Sequence, residues 1–209
     1  MPKIKEKKER SLGVKLSRKG ERSNSPKAAL VRKPYRPGQH GKSFRRKVSE
    51  FGQQLQEKQK IKFSYGVNER QLRRLFKEVE QKSKIKHISA KEAVIDTLER
   101  RLDNVIMRLG FSEGRNLARQ LVSHGHIQVN GRRVKAPSYK VKVGDKISIR
   151  PGSKGMMMFQ ELGDKLKKYE TPQWLGLDKA TLEGEVLSQP HDVEVPFDVS
   201  LVVDFYSKK

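Results

Sequence analysis

A chain of 209 residues has room for one large domain or two small ones, at roughly 150 residues per domain. It carries 47 Lys and Arg against 24 Asp and Glu, a formal net charge of +23, with only 34% hydrophobic residues; such a surplus repels itself unless a polyanion neutralises it, so nucleic acid is the leading partner. The absence of cysteine excludes a disulfide framework, a thiolate zinc site, an iron-sulfur cluster and a cysteine nucleophile.

The charge is unevenly spread. Residues 1–50 hold 17 basic and 4 acidic side chains, residues 51–170 hold 27 and 13, and residues 171–209 hold 3 and 7. A basic body with an acidic end implies two kinds of contact surface, one for phosphates and one for a protein. The stretch MPKIKEKKERSLG lacks the apolar run of a signal peptide, and no segment reaches the roughly 18 apolar residues of a membrane span. The expectation is a cytoplasmic chain with no membrane contact.

Residues 1–48 mix Lys and Arg with Gly13, Gly20, Pro26, Pro34, Pro37, Gly38 and Gly41 and show no sustained period of 3.6 or 2. They read as an irregular basic arm that phosphates would order, because it has too little apolar area to fold by itself. Within it, residues 34–41 set Arg36, Gln39 and His40 among rigid turns beside the stackable ring of Tyr35.

From Ser49 the pattern turns helical. Ser49 is placed to cap a helix whose inner stripe would run Phe51, Leu55, Gln59 and Lys62, ending at Tyr65-Gly66. Asn68 and Gln71 form a capping box for a second helix with Leu72, Leu75, Phe76 and Val79 inward. Outward faces carry Lys58, Lys60, Arg70, Arg73 and Arg74, which with Tyr65 are candidate RNA contacts.

Residues 89–150 are the most informative. Ser89 to Glu92 reads as a capping box, and Val94, Leu98, Leu102, Val105 and Leu109 line one stripe, predicting a single helix that stops at Gly110 and presents Arg101 and Arg108 together. Ser112 is expected to cap the next helix, where Arg115 and Arg119 are i, i+4 neighbours, Leu117 and Leu121 face inward, and Gly125 closes the end. Short β signals follow: residues 127–129 and 132–134 around the tight turn Asn130-Gly131, then 140–143 and 146–149 around Gly144-Asp145. His124, His126, Asn130, Arg132 and Lys140 join the arginines as candidate RNA contacts. A shaped cationic surface of this kind suits folded RNA, whose deep major groove hides the base edges.

Residues 98–150, LERRLDNVIMRLGFSEGRNLARQLVSHGHIQVNGRRVKAPSYKVKVGDKISIR, closely resemble the S4-type RNA-binding domain. Around them, RPGQHG, SEFGQQLQEKQKIKFSYGVNERQLRRLF, PQWLGLD, TLEGEVL and VSLVVDFYSKK resemble the bacterial S4 family of small-subunit ribosomal proteins, over essentially the whole chain from Gly13. The resemblance implies an α+β fold: a basic arm (1–48), a helical domain begun by 49–88 and completed by 161–209, and an inserted module (89–160) of two helices and a small twisted β-sheet. It implies a primary binder of small-subunit ribosomal RNA that docks at a multi-helix junction of the 5′ domain and nucleates assembly. It further implies that Arg45, Arg46 and Lys47 lie where messenger RNA enters the subunit, and that the acidic C-terminal part, with Asp198 and Asp204, meets small-subunit protein five at an interface tied to decoding accuracy. Many members hold zinc through four arm cysteines; the matching positions here are Glu6, Glu9, Ser23 and Ala28, which cannot make a thiolate site. No metal and no cofactor are expected.

An enzyme is the poorest fit. The five histidines, His40, His87, His124, His126 and His191, form no H-x-x-x-H pattern, and neither a phosphate-binding loop nor a nucleophile elbow occurs. A non-ribosomal RNA regulator is the alternative that uses the same surface.

Overall fold

The computed structural model describes residues 6–16, 25–44, 47–86, 89–167, 169–191 and 193–207. Ser23, Arg45, Arg46 and His87 lie outside these residues. The chain forms two compact units, residues 1–94 with 194–209, and residues 95–193. Among the described residues no helix is long and apolar enough to cross a membrane.

In the first unit the arm departs from the expected irregular coil. It carries α1 (Lys7–Leu12) and α2 (Ala29–Arg32), which pack together. Arg10 fastens them: its Nε donates to the carbonyls of Lys33 at 3.0 Å and Tyr35 at 3.1 Å, and its guanidinium stands 4.9 Å from the Tyr35 ring centre. Lys42 lies 5.1 Å from the same centre. Leu16 and Ala28 are buried, and buried Glu9 accepts the Leu16 N–H at 3.2 Å, so at two of the four positions that match zinc cysteines the chain packs on itself.

Helix α3 (Glu50–Tyr65) starts as expected, with Ser49 Oγ accepting from Gly52 N. Its inner face is a different one: Gln54, Lys58, Ile61, Ser64 and Tyr65 are buried, whereas Phe51 is 56% exposed. The terminal helix α10 (Val199–Ser207) and the turn before it select that face, since Lys58 stands 4.5 Å from the Phe205 ring centre and Tyr65 meets Phe197 edge-on at 6.1 Å. Helix α4 (Glu69–Lys86) opens on the predicted box, in which Gln71 N donates to Asn68 Oδ1 at 2.7 Å and Asn68 N to Gln71 Oε1 at 3.1 Å. Leu72, Phe76 and Val79 are buried as the spacing predicts, and Tyr206 stacks on Phe76 at 4.9 Å.

The division between the units falls within α5 (Ala90–Glu99). The second unit then holds α6 (Leu102–Arg108), α7 (Arg115–His124), β1 (Ile127–Val129), β2 (Arg132–Arg133), β3 (Lys146–Ile149), a 3-10 turn (Pro151–Ser153), α8 (Met157–Gln160), α9 (Leu162–Lys167), β4 (Leu175–Asp178) and β5 (Glu183–Val186). The single helix expected over 89–110 is thus two. The loop 137–141 takes over its hydrogen bonds: Leu102 N donates to Tyr139 O, Asp103 N to Pro137 O and Val141 N to Arg100 O, and Arg101 turns extended. The apolar stripe survives the break, with Val94, Leu98, Leu102, Val105 and Leu109 all fully buried.

One antiparallel sheet, ordered β2-β1-β3-β5-β4, backs these helices. Asn130 and Gly131 both take positive φ, 49° and 75°, the mirror-image turn whose twist suits a two-residue hairpin. The expected strand at 140–143 shrinks to a single bridge at Lys140 and then a turn at 143–144, where Asp145 Oδ2 accepts from Lys142 N at 2.8 Å, and β3 pairs with β1 and β5. The expectation that everything from 161 onward completes the helical part is corrected for 161–193. Strands β4 and β5 extend the sheet, and Leu162, Leu166, Trp174, Leu175 and Val186 enter the same core as Leu102, Ile106, Leu121 and Ile147. Apolar burial decides this, because these side chains find their partners on the sheet and on α6 and α7.

Candidate nucleic-acid interface

The cations of the second unit are held by acids and amides rather than scattered. Glu99, fully buried, accepts both prongs of the Arg108 guanidinium, Nε at 3.0 Å and Nη2 at 3.1 Å. Asp103, 4% exposed, does the same for Arg101, at 3.1 and 2.8 Å, and lies 3.7 Å from Arg119 Nη1. Between them Asn104 gives its Nδ2 to Glu99 Oε2 at 2.6 Å and receives Arg115 Nε on its Oδ1 at 2.7 Å. Burying carboxylates is costly unless each is paired and hydrogen-bonded, and the forked guanidinium is the group that satisfies them best. Arg101, Arg108, Arg115 and Arg119 are therefore all braced, Arg101 just before α6, Arg108 at its last position, and Arg115 and Arg119 along α7. Of the pair expected to share one face, Arg101 is buried and Arg108 half-buried, on separate acids.

Helix α7 begins at Gly114, not at Ser112, whose hydroxyl donates to Gly114 O instead. At its far end His124 is exposed, and His126 Nδ1 lies 3.0 Å from Ser153 Oγ. Asn130, exposed at the hairpin turn, ties that turn to the start of β3, its side chain donating to Asp145 Oδ1 and accepting from Lys146 N, both at 2.8 Å. Arg132 and Lys140 are exposed, the latter bridged through its backbone to Arg101. Sequence reasoning missed Arg133, which caps α7, and the trio Glu99, Asp103 and Asn104. Two acids and an amide inside an otherwise cationic, apolar-striped stretch were the available signal.

In the first unit Arg36, Gln39, His40, Lys47, Arg70 and Arg73 are exposed. Lys58 and Tyr65, expected to face RNA, are buried: Lys58 Nζ pairs with Glu69 Oε1 at 2.9 Å, and Tyr65 packs on Phe197. Lys60 is drawn to Glu57 at 2.5 Å. Glu69 also receives Lys62 Nζ and the Tyr206 hydroxyl, each at 3.0 Å. Burial pushes the Glu69 carboxyl up, but these three donors outweigh it and hold its pKa at about 2; burial and the Glu69 hydrogen bond push the Tyr206 hydroxyl above its usual range. Asp204 is exposed, while Asp198 Oδ1 accepts from Ser200 N at 2.8 Å and caps α10.

A compact α+β module presenting braced arginines is the make-up of an RNA-binding protein. The family model for the ribosomal protein S4/S9 N-terminal domain matches residues 3–99, and that for the S4 domain matches residues 100–147. Small ribosomal subunit protein uS4 of Caldicellulosiruptor bescii is 49% identical over 198 residues, 94% of this chain and 93% of that protein. Its counterpart in Thermus thermophilus is 44% identical over the same shares, and that of Chloroflexus aurantiacus 46% identical over 95% and 94%. The chain belongs to the bacterial uS4 family of small-ribosomal-subunit proteins.

Proposed function

We propose that this chain is a structural constituent of the small ribosomal subunit on cytoplasmic ribosomes, a primary binder of small-subunit ribosomal RNA that docks at a multi-helix junction of the 5′ domain and nucleates assembly there. The observation that carries this reading is the braced arginine assembly of α6 and α7 in a member of the uS4 family. Fixed guanidiniums meet a phosphate array of fixed shape with little side-chain entropy left to lose. Two finer roles belong to the same reading. The basic segment Arg45, Arg46 and Lys47 lines the path where messenger RNA enters, and the acidic C-terminal part, including exposed Asp204, meets small-subunit protein five and bears on decoding accuracy.

Footprinting of the full chain on transcribed 5′-domain RNA, together with its stoichiometry on salt-washed small subunits, tests this. Protection concentrated at one junction and about one copy per subunit are the expected results. Loss of the chain on washing, or uniform protection along the RNA, overturns the proposal.

A further inference from the structure

Arg115 sits in the first turn of α7, half-buried, and its Nε donates to Asn104 Oδ1 at 2.7 Å. Asn104 is 1% exposed and its orientation is imposed from the other side: its Nδ2 is held by Glu99 Oε2 at 2.6 Å and by the Glu99 carbonyl at 3.1 Å. An amide donating through nitrogen to an acid must turn its oxygen away, and that oxygen is where Arg115 is anchored. The carboxylate of Glu99 fixes Arg108 as well, through two bonds. The relay therefore runs Glu99 to Asn104 to Arg115, from a buried charge to a guanidinium on the candidate RNA face.

We propose that Asn104 is a positioning residue for RNA recognition, aiming Arg115 at a phosphate through the hydrogen bond to Nε. This rests on the RNA-binding reading above. Asn104 acts behind the contact: by holding Nε it narrows the orientations open to the Arg115 guanidinium, so part of the ordering cost is met on folding rather than on binding. A guanidinium has five donors in a planar fork, so anchoring Nε sets where the plane and the other donors lie.

A double-mutant cycle on the full chain tests it, with transcribed 5′-domain RNA as probe and affinity measured across a salt series. Asn104→Ala and Arg115→Ala should each weaken binding roughly tenfold or more, and each should make the slope of log K against log salt shallower by about one phosphate's share, 0.7 to 0.9. In the Arg115→Ala background, Asn104→Ala should change neither quantity. Equal effects of Asn104→Ala in both backgrounds, or no effect in the wild type, overturn the proposal. Should Asn104→Ala not fold, Arg115→Lys decides, since it leaves Asn104 and Glu99 in place and keeps the charge but loses the fork. Binding weakened nearly as far as in Arg115→Ala supports oriented recognition, and wild-type affinity and slope overturn it. A wild-type chain that does not bind this RNA overturns the underlying reading first, before any variant is compared.

Discussion

The Arg133 guanidinium closes the C-terminus of α7 at Gly125, donating from Nε to Gly125 O at 3.0 Å while Nη2 reaches His124 O at 2.9 Å. Cationic donors at a helix C-terminus satisfy orphan carbonyls and complement the helix dipole. Gly125 has φ 74°, and a Cβ there would collide with the same guanidinium. Gly125→Ala should therefore destabilise the second unit by about 1–2 kcal/mol for the left-handed conformation alone, with the Arg133 cap lost in addition. Arg133→Ala should cost less, roughly 1 kcal/mol. Thermal melts of the two variants check the order, and a Gly125→Ala protein as stable as wild type contradicts it.

Binding to RNA should depend steeply on salt. If roughly 6 to 10 phosphates are neutralised, the slope of log K against log salt lies between about −4 and −9. Filter binding across a salt series measures it directly. A slope of about −1 to −2 would mean that packing, not phosphate neutralisation, dominates recognition.

Arginine and leucine on α7 should separate affinity from stability. Arg119→Ala should weaken RNA binding with little loss of fold, because Arg119 is only half-buried and buried Asp103 keeps both bonds from Arg101. Leu121 is 3% exposed within the main core, and Leu121→Ala should cost about 2–5 kcal/mol while the folded fraction keeps its affinity. Melting curves set beside affinities corrected for folded fraction decide the matter. An Arg119→Ala protein that is unfolded but unimpaired in its folded fraction would reverse the assignment.

Acid should loosen the first unit through Glu69. Its pKa is lowered from 4.5 to about 2 in the fold, so the stability it contributes is fully present above about pH 4.5 and is lost as pH falls toward 2. Because Glu69 is 43% exposed, solvent screens the effect and its size is modest. Glu69→Gln should be less stable than wild type at neutral pH, with the two converging below about pH 2 as measured by denaturant unfolding. Parallel pH curves would show that Lys58, Lys62 and Tyr206 do not act through that charge.

Arm and tail should have different phenotypes. Replacing Arg45, Arg46 and Lys47 with Ala should slow translation through structured messenger more than it impairs assembly. On the proposed contact with protein five, Asp204→Asn should instead alter misreading with assembly intact, since a partner cation there would lose its compensating charge. Asp198 needs the gentler change to Asn, because its carboxylate caps α10, and Asn retains a capping oxygen. Reporter assays for misreading test the tail. Unaltered accuracy in both tail variants would place the protein contact elsewhere.

Local chemistry was legible in the sequence. Ser49, the Asn68–Gln71 box, Gly125 and the Asn130-Gly131 turn all act where they were expected, because a cap or a tight turn is settled between residues a few positions apart. The apolar stripe from Val94 to Leu109 was legible for the same reason, and so were the basic character of the chain and its likeness to the S4 family. Tertiary structure alone broke that stripe into two helices, since the competing hydrogen bonds come from Pro137 and Tyr139. It alone turned Lys58 inward, toward Glu69 and the ring of Phe205, and it added β4 and β5 to the sheet. Among the arginines the sequence marks composition but not orientation. A guanidinium braced by Glu99, Asp103 or Asn104 and one waving in solvent are written with the same letter, and which it becomes depends on where a buried carboxylate arrives in space.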